Sequence, residues 1–426
     1  LINILDIHPD IALETLQRAR MAAFTLVKWL LCSVLSGSVI GLIGALFYKC
    51  LQYVTNIRTT YSFTLFFLPL AGIIIVFIYR LTNEADNTGT NLVITAIQSN
   101  VEVPVKVTPL IIISTLLTHL CGGSAGREGA ALQVGGSLGD FFAKLFNFDD
   151  KDTRIMIMCG MSACFSALFG TPIAAAVFSM EVISVGVMYY AALVPCIISS
   201  LTAQGIAGLL GVTPTAFTIG DICSFNISTC LRLIIMSILF ALVSIAFCYM
   251  LHTSSRIYSK YIENPYIRIV TAGILVILLR YITGTTDYLG AGAPVIASSF
   301  LSSCAWYVFI LKMIFTAATL GGGFKGGEIV PTLFVGATLG SFLASIFGLP
   351  IGLCAACGMV SVFCGVTNCP LTSFIISIEM FGAASIKYVI ICIAISYMLS
   401  GYYSLYNSQK IVYSKYKTEY INRRSH

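Results

Sequence analysis

Two carboxylic acids stand in glycine-rich surroundings within an otherwise apolar sequence. Glu128 lies in GGSAGREGAALQVG (122–135), and Glu328 lies in GGEIVPTLFVGATLG (326–340). Each Glu is followed by a run of small and apolar residues that predicts a helix, so each carboxyl group is expected near a helix start. A carboxyl group within an apolar segment is costly and therefore indicates a functional site.

The glycines that precede both acids suit the binding of an anion. A helix that starts in a buried region leaves unpaired backbone N–H groups and a partial positive charge at its N-terminus. Glycine lets an anion approach these N–H groups closely. Such a site holds an anion without a full positive charge, which would bind it too tightly for release. Two such helix starts, together with hydroxyl donors, predict a path for anions.

The elements that position these groups are predicted to be membrane helices. The chain has 426 residues, of which 58% are hydrophobic and 10% are charged, and its mean hydropathy is +0.92. Soluble domains carry about 25% charged residues, so a polytopic membrane protein is expected. Several apolar stretches are short or contain Gly and Pro, which indicates broken helices that are buried or line a wet cavity. The stretches cover residues 21–47, 63–79, 107–121, 155–169, 187–211, 231–250, 269–283 and 383–400.

The sequence also repeats itself weakly. Residues 122–142 resemble 322–343 in their order of glycines, Glu and small-residue helix. Downstream, GTPIAAAVFSMEV and TNCPLTSFIISIEM each place a Glu nine residues after a Pro. For these two acids, Glu181 and Glu379, a salt bridge or a snorkelling carboxylate is the favoured interpretation. Paired, glycine-interrupted segments in two halves are typical of transporters with inverted-topology repeats.

These observations predict an all-α polytopic fold of two inverted repeats with broken, tilted helices. We expect an interfacial helix at 1–21, a first repeat at 22–211, a linker at 212–229, a second repeat at 230–409 and a basic tail at 410–426. The positive-inside rule places the N-terminal helix and the basic tail in the cytoplasm, with the repeats in the cell (inner) membrane. The tail is short, so no large soluble domain is expected after the membrane part.

The glycine-rich segments resemble the signatures of the CLC family of chloride channels and proton-coupled anion exchangers. GGSAGREGA is similar to the family's GxxxGREGP, with Ala130 in place of the Pro, and GGEIVPTLFVG is similar to its GGxFxPxxxxG. NTGTNLVI (87–94) stands where the family has GSGIPE, and SGYYSLYNSQ (400–409) stands where its anion-coordinating Tyr lies. The resemblance spans about Ala22 to Lys417 and implies a homodimer with one pathway in each subunit.

The resemblance implies roles for individual residues. Glu128 would be a gate that occupies an anion site when charged and leaves it when protonated; the alternative is a structural pair with Arg127. Thr88 would donate a hydrogen bond from its hydroxyl to the anion. An ordinary role at a helix start explains this threonine equally well. The anion-binding candidates are the residues of the glycine-rich segments and the hydroxyl donors, namely Thr88, Gly126, Arg127, Gly129, Gly327, Ile329, Val330 and Tyr406.

Three departures from the family pattern bear on the subfamily: the first two favour one subfamily, and the third is also a departure from that subfamily. Glu328 stands where the family usually has an aliphatic residue, Val182 stands where proton-coupled chloride exchangers have a second Glu, and the GSGIPE element is degenerate around Thr88. A Glu in the second signature resembles the CLC-F fluoride/proton antiporters. A protonated Glu328 would donate a strong O–H hydrogen bond to fluoride, the most basic halide. A salt bridge between Glu328 and Lys325 is the alternative.

The sequence therefore predicts a secondary active transporter that exchanges fluoride, or another halide, for protons and exports fluoride. The alternative is a CLC-type channel or proton exchanger for chloride or nitrate. An intramembrane enzyme is not expected, because neither a Ser/His dyad nor an HExxH motif stands within a span.

No cofactor, metal or nucleic-acid partner is expected. Cys354 and Cys357 are interpreted as packing residues, and His119 as a packed or hydrogen-bonded one. The four histidines are scattered and form no metal set: they are His8, His119, His252 and His426.

Overall fold

The chain forms sixteen α-helices and a small sheet in the computed structural model, which describes residues 9–99, 101–417 and 419–425. The first half contains α1 (Pro9–Thr60), α2 (Leu68–Leu81), α3 (Thr90–Ser99), α4 (Val107–Leu120), α5 (Glu128–Leu145), α6 (Asp150–Phe169), α7 (Pro172–Glu181) and α8 (Leu193–Leu209). The second half contains α9 (Ile227–Tyr261), α10 (Pro265–Thr283), α11 (Ala293–Ser299), α12 (Val308–Gly321), α13 (Ile329–Phe347), α14 (Ile351–Thr367), α15 (Pro370–Phe381) and α16 (Ile386–Leu399). The predicted helical, polytopic fold is confirmed. Residues 1–8 and His426 lie outside the described part.

The described part of the chain contains both long and short apolar helices. Within the described residues, seven helical segments are long and apolar enough to cross a membrane. The hydrocarbon core of a bilayer is about 30 Å thick and needs about 20 helical residues to cross it, so α4, α7, α12, α14, α15 and α16 are too short to span it comfortably. Their backbone ends must find partners inside the protein, because lipid offers none.

Helix α1 is continuous, whereas the sequence predicted a separate interfacial helix that ends at residue 21. Pro9 opens α1 at a position where its missing N–H is harmless, and no other proline occurs within the 52 residues of the helix. Because nothing interrupts the hydrogen-bond ladder, α1 runs on to Thr60. Its small residues then pack closely on α8, where a Cβ at Gly41 would lie 2.6 Å from the Cα of Ala203.

The two halves repeat one glycine-mediated helix contact. In the first half α5 packs on α6, where a Cβ at Gly160 would lie 2.0 Å from the carbonyl oxygen of Gly135. In the second half α13 packs on α14, where a Cβ at Gly358 would lie 2.2 Å from the carbonyl oxygen of Gly336. Small residues allow helix backbones to approach this closely in lipid. The matched contacts fix α5 and α13, the helices that begin at Glu128 and directly after Glu328.

Two glutamates cap helices of the opposite half. The Glu181 carboxylate, at the end of α7, accepts hydrogen bonds from the N–H groups of Leu371 at 3.0 Å and Thr372 at 2.8 Å, at the start of α15. In return, the Glu379 carboxylate at the end of α15 accepts from two first-turn N–H groups of α7 at 3.0 and 2.9 Å. Carboxylates satisfy orphan donors at helix N-termini. The predicted salt bridge or snorkelling is therefore wrong for both acids.

The basic tail folds into a three-stranded sheet that the all-α prediction did not include. Strand β2 (Lys410–Tyr413) pairs in parallel with β1 (Ser184–Val185) and antiparallel with β3 (Tyr420–Arg424). Between β2 and β3, the Lys415 ammonium donates to the carbonyl oxygen of Tyr397 at the end of α16, at 3.0 Å. Burial lowers the pKa of Lys415 to about 8. Lys415 therefore keeps its proton at neutral pH and ties the tail to the second half.

The linker predicted at 212–229 corresponds to a segment without helix between α8 and α9. Helix α9 begins at Ile227, earlier than the boundary expected from hydrophobicity. The reason is a local cap: the side-chain oxygen of Asn226 accepts a hydrogen bond from the N–H of Thr229 at 2.9 Å. Asn is among the preferred residues at this position.

We expect Glu181→Ala to destabilise the protein, because two buried N–H groups at the start of α15 lose their charged acceptor. The free energy of unfolding should fall by about 1–3 kcal/mol. Thermal unfolding of the purified protein in detergent measures this. Glu263→Ala, at an exposed acid between α9 and α10, is the control and should leave the midpoint unchanged. Equal midpoints for the two variants would contradict the capping role.

Candidate functional site

The two glycine loops, residues 122–127 and 322–327, meet in the interior of the protein. The N–H of Gly126 donates to the carbonyl oxygen of Gly327 at 2.7 Å, and the N–H of Gly327 donates to that of Gly126 at 2.8 Å, in an antiparallel bridge. The prediction that the two helix starts meet is confirmed. Because the bridge uses both N–H groups, Gly126 and Gly327 join the loops here and do not offer these donors to an anion, contrary to prediction.

Three other predicted residues have backbone donors at the helix starts for which the described residues offer no backbone acceptor. The first backbone hydrogen bond of α5 is donated by Ala131, and the first of α13 is donated by Thr332. Gly129, Ile329 and Val330 come before these first donors in the chain, so their N–H groups have no acceptor within the helix. They carry the partial positive charge that attracts an anion.

Glu128 lies on one side of the glycine bridge and is completely buried. Its Oε2 accepts a hydrogen bond from the N–H of Arg127 at 3.0 Å, and its Oε1 lies 3.4 Å from the Arg127 Nε. The Arg127 guanidinium stacks over the ring of Tyr48, with 4.6 Å between the guanidinium carbon and the ring centroid. Glu128 and Arg127 line a cavity of about 450 Å³, which we call the Glu128 cavity. The ion pair of the alternative interpretation exists, and both of its partners line this cavity.

Glu328 lies on the other side of the bridge, in a separate cavity of about 300 Å³, the Glu328 cavity. Its Oε2 is buried and has no hydrogen-bond partner among the described residues. The Lys325 ammonium lies over the ring of Tyr79, with 4.5 Å to the ring centroid. Among the ion pairs within 9–99, 101–417 and 419–425, none joins Lys325 to Glu328. The two groups interact electrostatically at longer range, but the direct salt bridge of the alternative interpretation is not formed within the described residues.

Hydroxyl groups complete the Glu328 cavity. Tyr406 is 1% exposed, and its hydroxyl has no partner within the described chain. It lies within electrostatic reach of both Glu328 and Glu128, and Thr88 lines the same cavity. Sequence reasoning missed Thr90, the first residue of α3, whose Oγ1 donates to the carbonyl oxygen of Gly129 at 3.3 Å. Its signal was weak, because Thr88 and Thr90 both precede the same apolar run.

Two polar side chains support the first glycine loop. The Nε2 of His119 lies 3.3 Å from the carbonyl oxygen of Gly126, as expected for a hydrogen-bonded histidine. The Nε2 of Gln133 donates to the carbonyl oxygen of Gly129 at 3.3 Å. These contacts, with that of Thr90, fix the loop whose amide groups form the start of α5.

The two carboxyl groups approach the start of α5 closely. A Cβ at Gly126 would lie 2.9 Å from the Glu128 Oε2, and a Cβ at Gly129 would lie 3.1 Å from the Glu328 Oε2. The Glu128 cavity and the Glu328 cavity each reach one of these acids. Each acid can therefore exchange a proton with its own cavity, while unpaired N–H groups and a hydroxyl between them offer donors to an anion.

Two helical repeats of inverted topology, whose broken helices meet between two buried carboxyl groups, define a membrane transport protein for anions. The chain belongs to the CLC family: the sequence model of the family described as voltage gated chloride channel matches residues 70–401.

Individual relatives resemble this chain over most of its length. It is 34% identical to a chloride/fluoride channel protein of Pseudomonas syringae pv. tomato over 398 residues, which cover 92% of this chain and 88% of the relative. It is 24% identical to the H(+)/Cl(-) exchange transporter ClcA of Vibrio cholerae, over 82% of this chain and 81% of that protein.

Solved structures share the fold. A CLC-type fluoride/proton antiporter superposes with a TM-score of 0.88 at 32% identity, over 91% of this chain and 99% of that structure. A slow cyanobacterial Cl-/H+ antiporter superposes with a TM-score of 0.75 at 18% identity, over 87% and 94% of the two chains.

We expect Gly327→Ala to disrupt the meeting of the loops. The added Cβ would lie 2.5 Å from the backbone nitrogen of Gly129 and 3.0 Å from that of Glu128, so the two helix starts must separate. Anion flux in proteoliposomes should fall at least about tenfold, with a loss of about 1–3 kcal/mol in stability. Gly205→Ala in α8, where nothing lies within 4 Å of an added Cβ, should preserve both quantities. Wild-type flux in Gly327→Ala would disprove the tight approach.

Proposed function

We propose that this protein exchanges fluoride for protons across the cell membrane and thereby exports fluoride. One observation carries the proposal: the Glu328 carboxyl lies at the start of α13, beside N–H groups without a helical acceptor, and its buried Oε2 has no hydrogen-bond partner among the described residues. A protonated carboxyl at this place donates an O–H to an anion, and fluoride, as the most basic halide, gains most from that donor. The names of the similar chloride/fluoride channel protein and fluoride/proton antiporter support the same substrate.

The proposed cycle assigns one carboxyl to each cavity. Fluoride enters the Glu328 cavity and is bound by the O–H of Glu328, the hydroxyl of Tyr406 and the N–H groups of Ile329 and Val330. Protonation of Glu128 from its own cavity weakens its pair with Arg127 and frees the helix start for the anion. Fluoride then leaves through the Glu128 cavity while a proton moves the opposite way. Loss of the proton from Glu328 makes this site repel fluoride, which prevents return.

Four further predicted residues have supporting roles in this cycle: Thr88, Gly126, Arg127 and Gly327. Thr88 is a hydroxyl donor at the mouth of the Glu328 cavity. Gly126 and Gly327 hold the two helix starts together, and Arg127 stabilises the charged form of the gate.

The distribution of basic residues supports an orientation for the protein. One face of the protein contains the ends of three helices, α2, α5 and α9. The same face contains the starts of α4, α6 and α10 and the tail. The positive-inside rule assigns this face to the cytoplasm, so fluoride enters the Glu328 cavity from the cytoplasm. By resemblance alone, the protein is proposed to be a homodimer with one pathway per subunit. The basic residues of this face are Arg18, Arg20, Lys28, Arg80, Lys106, Lys144, Lys151, Arg154, Arg256, Lys260, Arg268, Lys410, Lys415, Lys417, Arg423 and Arg424.

We expect proteoliposomes that contain the protein to release fluoride at least about tenfold faster than chloride, with protons moving in the opposite direction. Ion-selective electrodes and a pH electrode record the fluxes simultaneously. Glu128→Gln is the control, because its amide cannot exchange a proton and should stop proton movement. Chloride release as fast as fluoride release would instead support a CLC-type chloride or nitrate pathway.

We expect Glu328→Gln and Glu328→Ala to lose most fluoride transport, because neither side chain can take up and release a proton. Lys325→Ala should keep the larger part of the transport, since no ion pair within 4.0 Å joins Lys325 to Glu328 in the described part of the chain. Initial fluoride efflux is measured for the three variants at equal amounts of folded protein. Near-normal efflux in Glu328→Gln, or equal damage in Lys325→Ala, would contradict a transport role for the Glu328 carboxyl.

A further inference from the structure

A further charged cavity adjoins the Glu328 cavity and shares Asn87, Ser255 and Lys325 with it. It measures about 320 Å³ and lies between the end of α2, the start of α10 and the second glycine loop. Its walls carry three cationic side chains, Arg80, Arg268 and Lys325, and two neutral hydrogen-bonding side chains, Asn87 and Ser255. We call it the basic chamber.

Two of the three cations of the basic chamber, Arg80 and Lys325, lie over aromatic rings. The Arg80 guanidinium lies over the ring of Tyr266, with 4.8 Å to the ring centroid, and the Lys325 ammonium lies over that of Tyr79. Glu328 interacts with Lys325 at longer range, but among the described residues no carboxylate is in ion-pair contact, within 4.0 Å, with any of the three cations. Three cations that converge on one cavity repel one another, so the chamber is complementary to an anion.

An apolar groove begins one helical turn further into the membrane. It measures about 810 Å³ and lies between α9, α10 and α12. On α10, Arg268 lines the basic chamber and Thr271, three residues later, lines the groove. On α9, Ser255 lines the chamber and its neighbour Ser254 lines the groove. The groove walls are otherwise almost entirely apolar, with Ile274, Leu275, Leu278, Tyr249, Met250, Ile257, Ile314, Ala317 and Ala318. Several of these side chains are exposed on the face that lipid covers.

We infer that the basic chamber and the apolar groove together bind one anionic phospholipid of the cytoplasmic leaflet. The phosphate headgroup occupies the chamber between the three cations, and an acyl chain lies in the groove along α10. A small inorganic anion fits the chamber but leaves the groove unfilled, whereas a neutral lipid fills the groove but leaves the cations unpaired. The cytoplasmic leaflet carries the anionic lipids, each basic residue near its surface strengthens the attraction, and the chamber lies on the basic face of the protein.

The bound lipid would act on transport through Lys325. This residue lines both the basic chamber and the Glu328 cavity, and it stands three residues before Glu328 in the second glycine loop. A phosphate in the chamber holds the Lys325 ammonium on the chamber side and keeps it from pairing with the Glu328 carboxylate. This consequence rests on the proposed function, whereas lipid binding itself does not.

Native mass spectrometry of the purified protein tests binding, with dioleoyl phosphatidylglycerol, dioleoyl phosphatidylcholine and soluble glycerol 1-phosphate as probes. We expect the wild type to retain phosphatidylglycerol, and the Arg80→Gln/Arg268→Gln variant to retain it on the order of tenfold more weakly. Arg280→Gln, at the other end of α10, is the matched control and should bind like the wild type. Equal retention of both phospholipids by the wild type, or unchanged binding in the double variant, would overturn the inference.

Filling the groove separates a lipid from a free phosphate. Thr271 is exposed at the groove, so Thr271→Trp should reduce phosphatidylglycerol binding without disturbing the core, and should leave any glycerol 1-phosphate binding unchanged. Tight binding of glycerol 1-phosphate together with wild-type phospholipid binding in Thr271→Trp would show a free phosphate site and refute the lipid site.

Transport in vesicles tests the coupling to Glu328. Fluoride efflux of the wild type should be several-fold faster in vesicles with phosphatidylglycerol than in purely phosphatidylcholine vesicles, and this ratio should fall toward one in Arg80→Gln/Arg268→Gln. Arg280→Gln reports the general effect of surface charge and should keep the wild-type ratio. An unchanged ratio in the double variant, alongside lost lipid binding, would contradict the coupling while leaving the lipid site intact. Absence of fluoride transport in every lipid would contradict the proposed function alone.

Discussion

The fold depends on one constraint: a helix that ends inside a membrane must place its backbone donors and acceptors on protein groups, because lipid offers no partners. The antiparallel bridge between Gly126 and Gly327 meets this constraint for two helix starts at once. The capping of α15 by Glu181 and of α7 by Glu379 meets it for two more. Each solution takes its partner from the other half, so the broken helices of either repeat require the other repeat.

The same constraint produces the site. The bridge satisfies the N–H groups of the glycines themselves. The N–H groups of Gly129, Ile329 and Val330, in the first turns of α5 and α13, have no backbone acceptor among the described residues. Unpaired donors in a buried place are costly unless something accepts from them, and an anion in transit is such an acceptor. The carboxyl groups of Glu128 and Glu328 stand beside these donors, so protonation can decide whether the anion or a carboxylate occupies them.

The sequence allowed the glycine loops, the buried acids and the two-half organisation to be predicted, because each has a local chemical pattern. It did not allow the capping by Glu181 and Glu379 to be predicted, because each acid finds its partner about 200 residues away. The continuity of α1 was missed because polarity changes near residue 21 while the backbone continues. Thr90 was missed since a hydroxyl at a helix start has no distinguishing pattern until its acceptor, the carbonyl of Gly129, is located.

The reciprocal caps also set an order for biogenesis. The first-turn N–H groups of α7 have no cap until Glu379 is synthesised, and this residue is 206 positions after Ile173 in the chain. At a synthesis rate of about 5–20 residues per second, the ribosome needs roughly 10–40 s to deliver that residue. During this interval the first repeat is already long enough to enter the membrane with the start of α7 uncapped. Insertion machinery or water must supply acceptors for these N–H groups until the second repeat is in the membrane. The two repeats therefore complete their folding together, after synthesis of the second repeat.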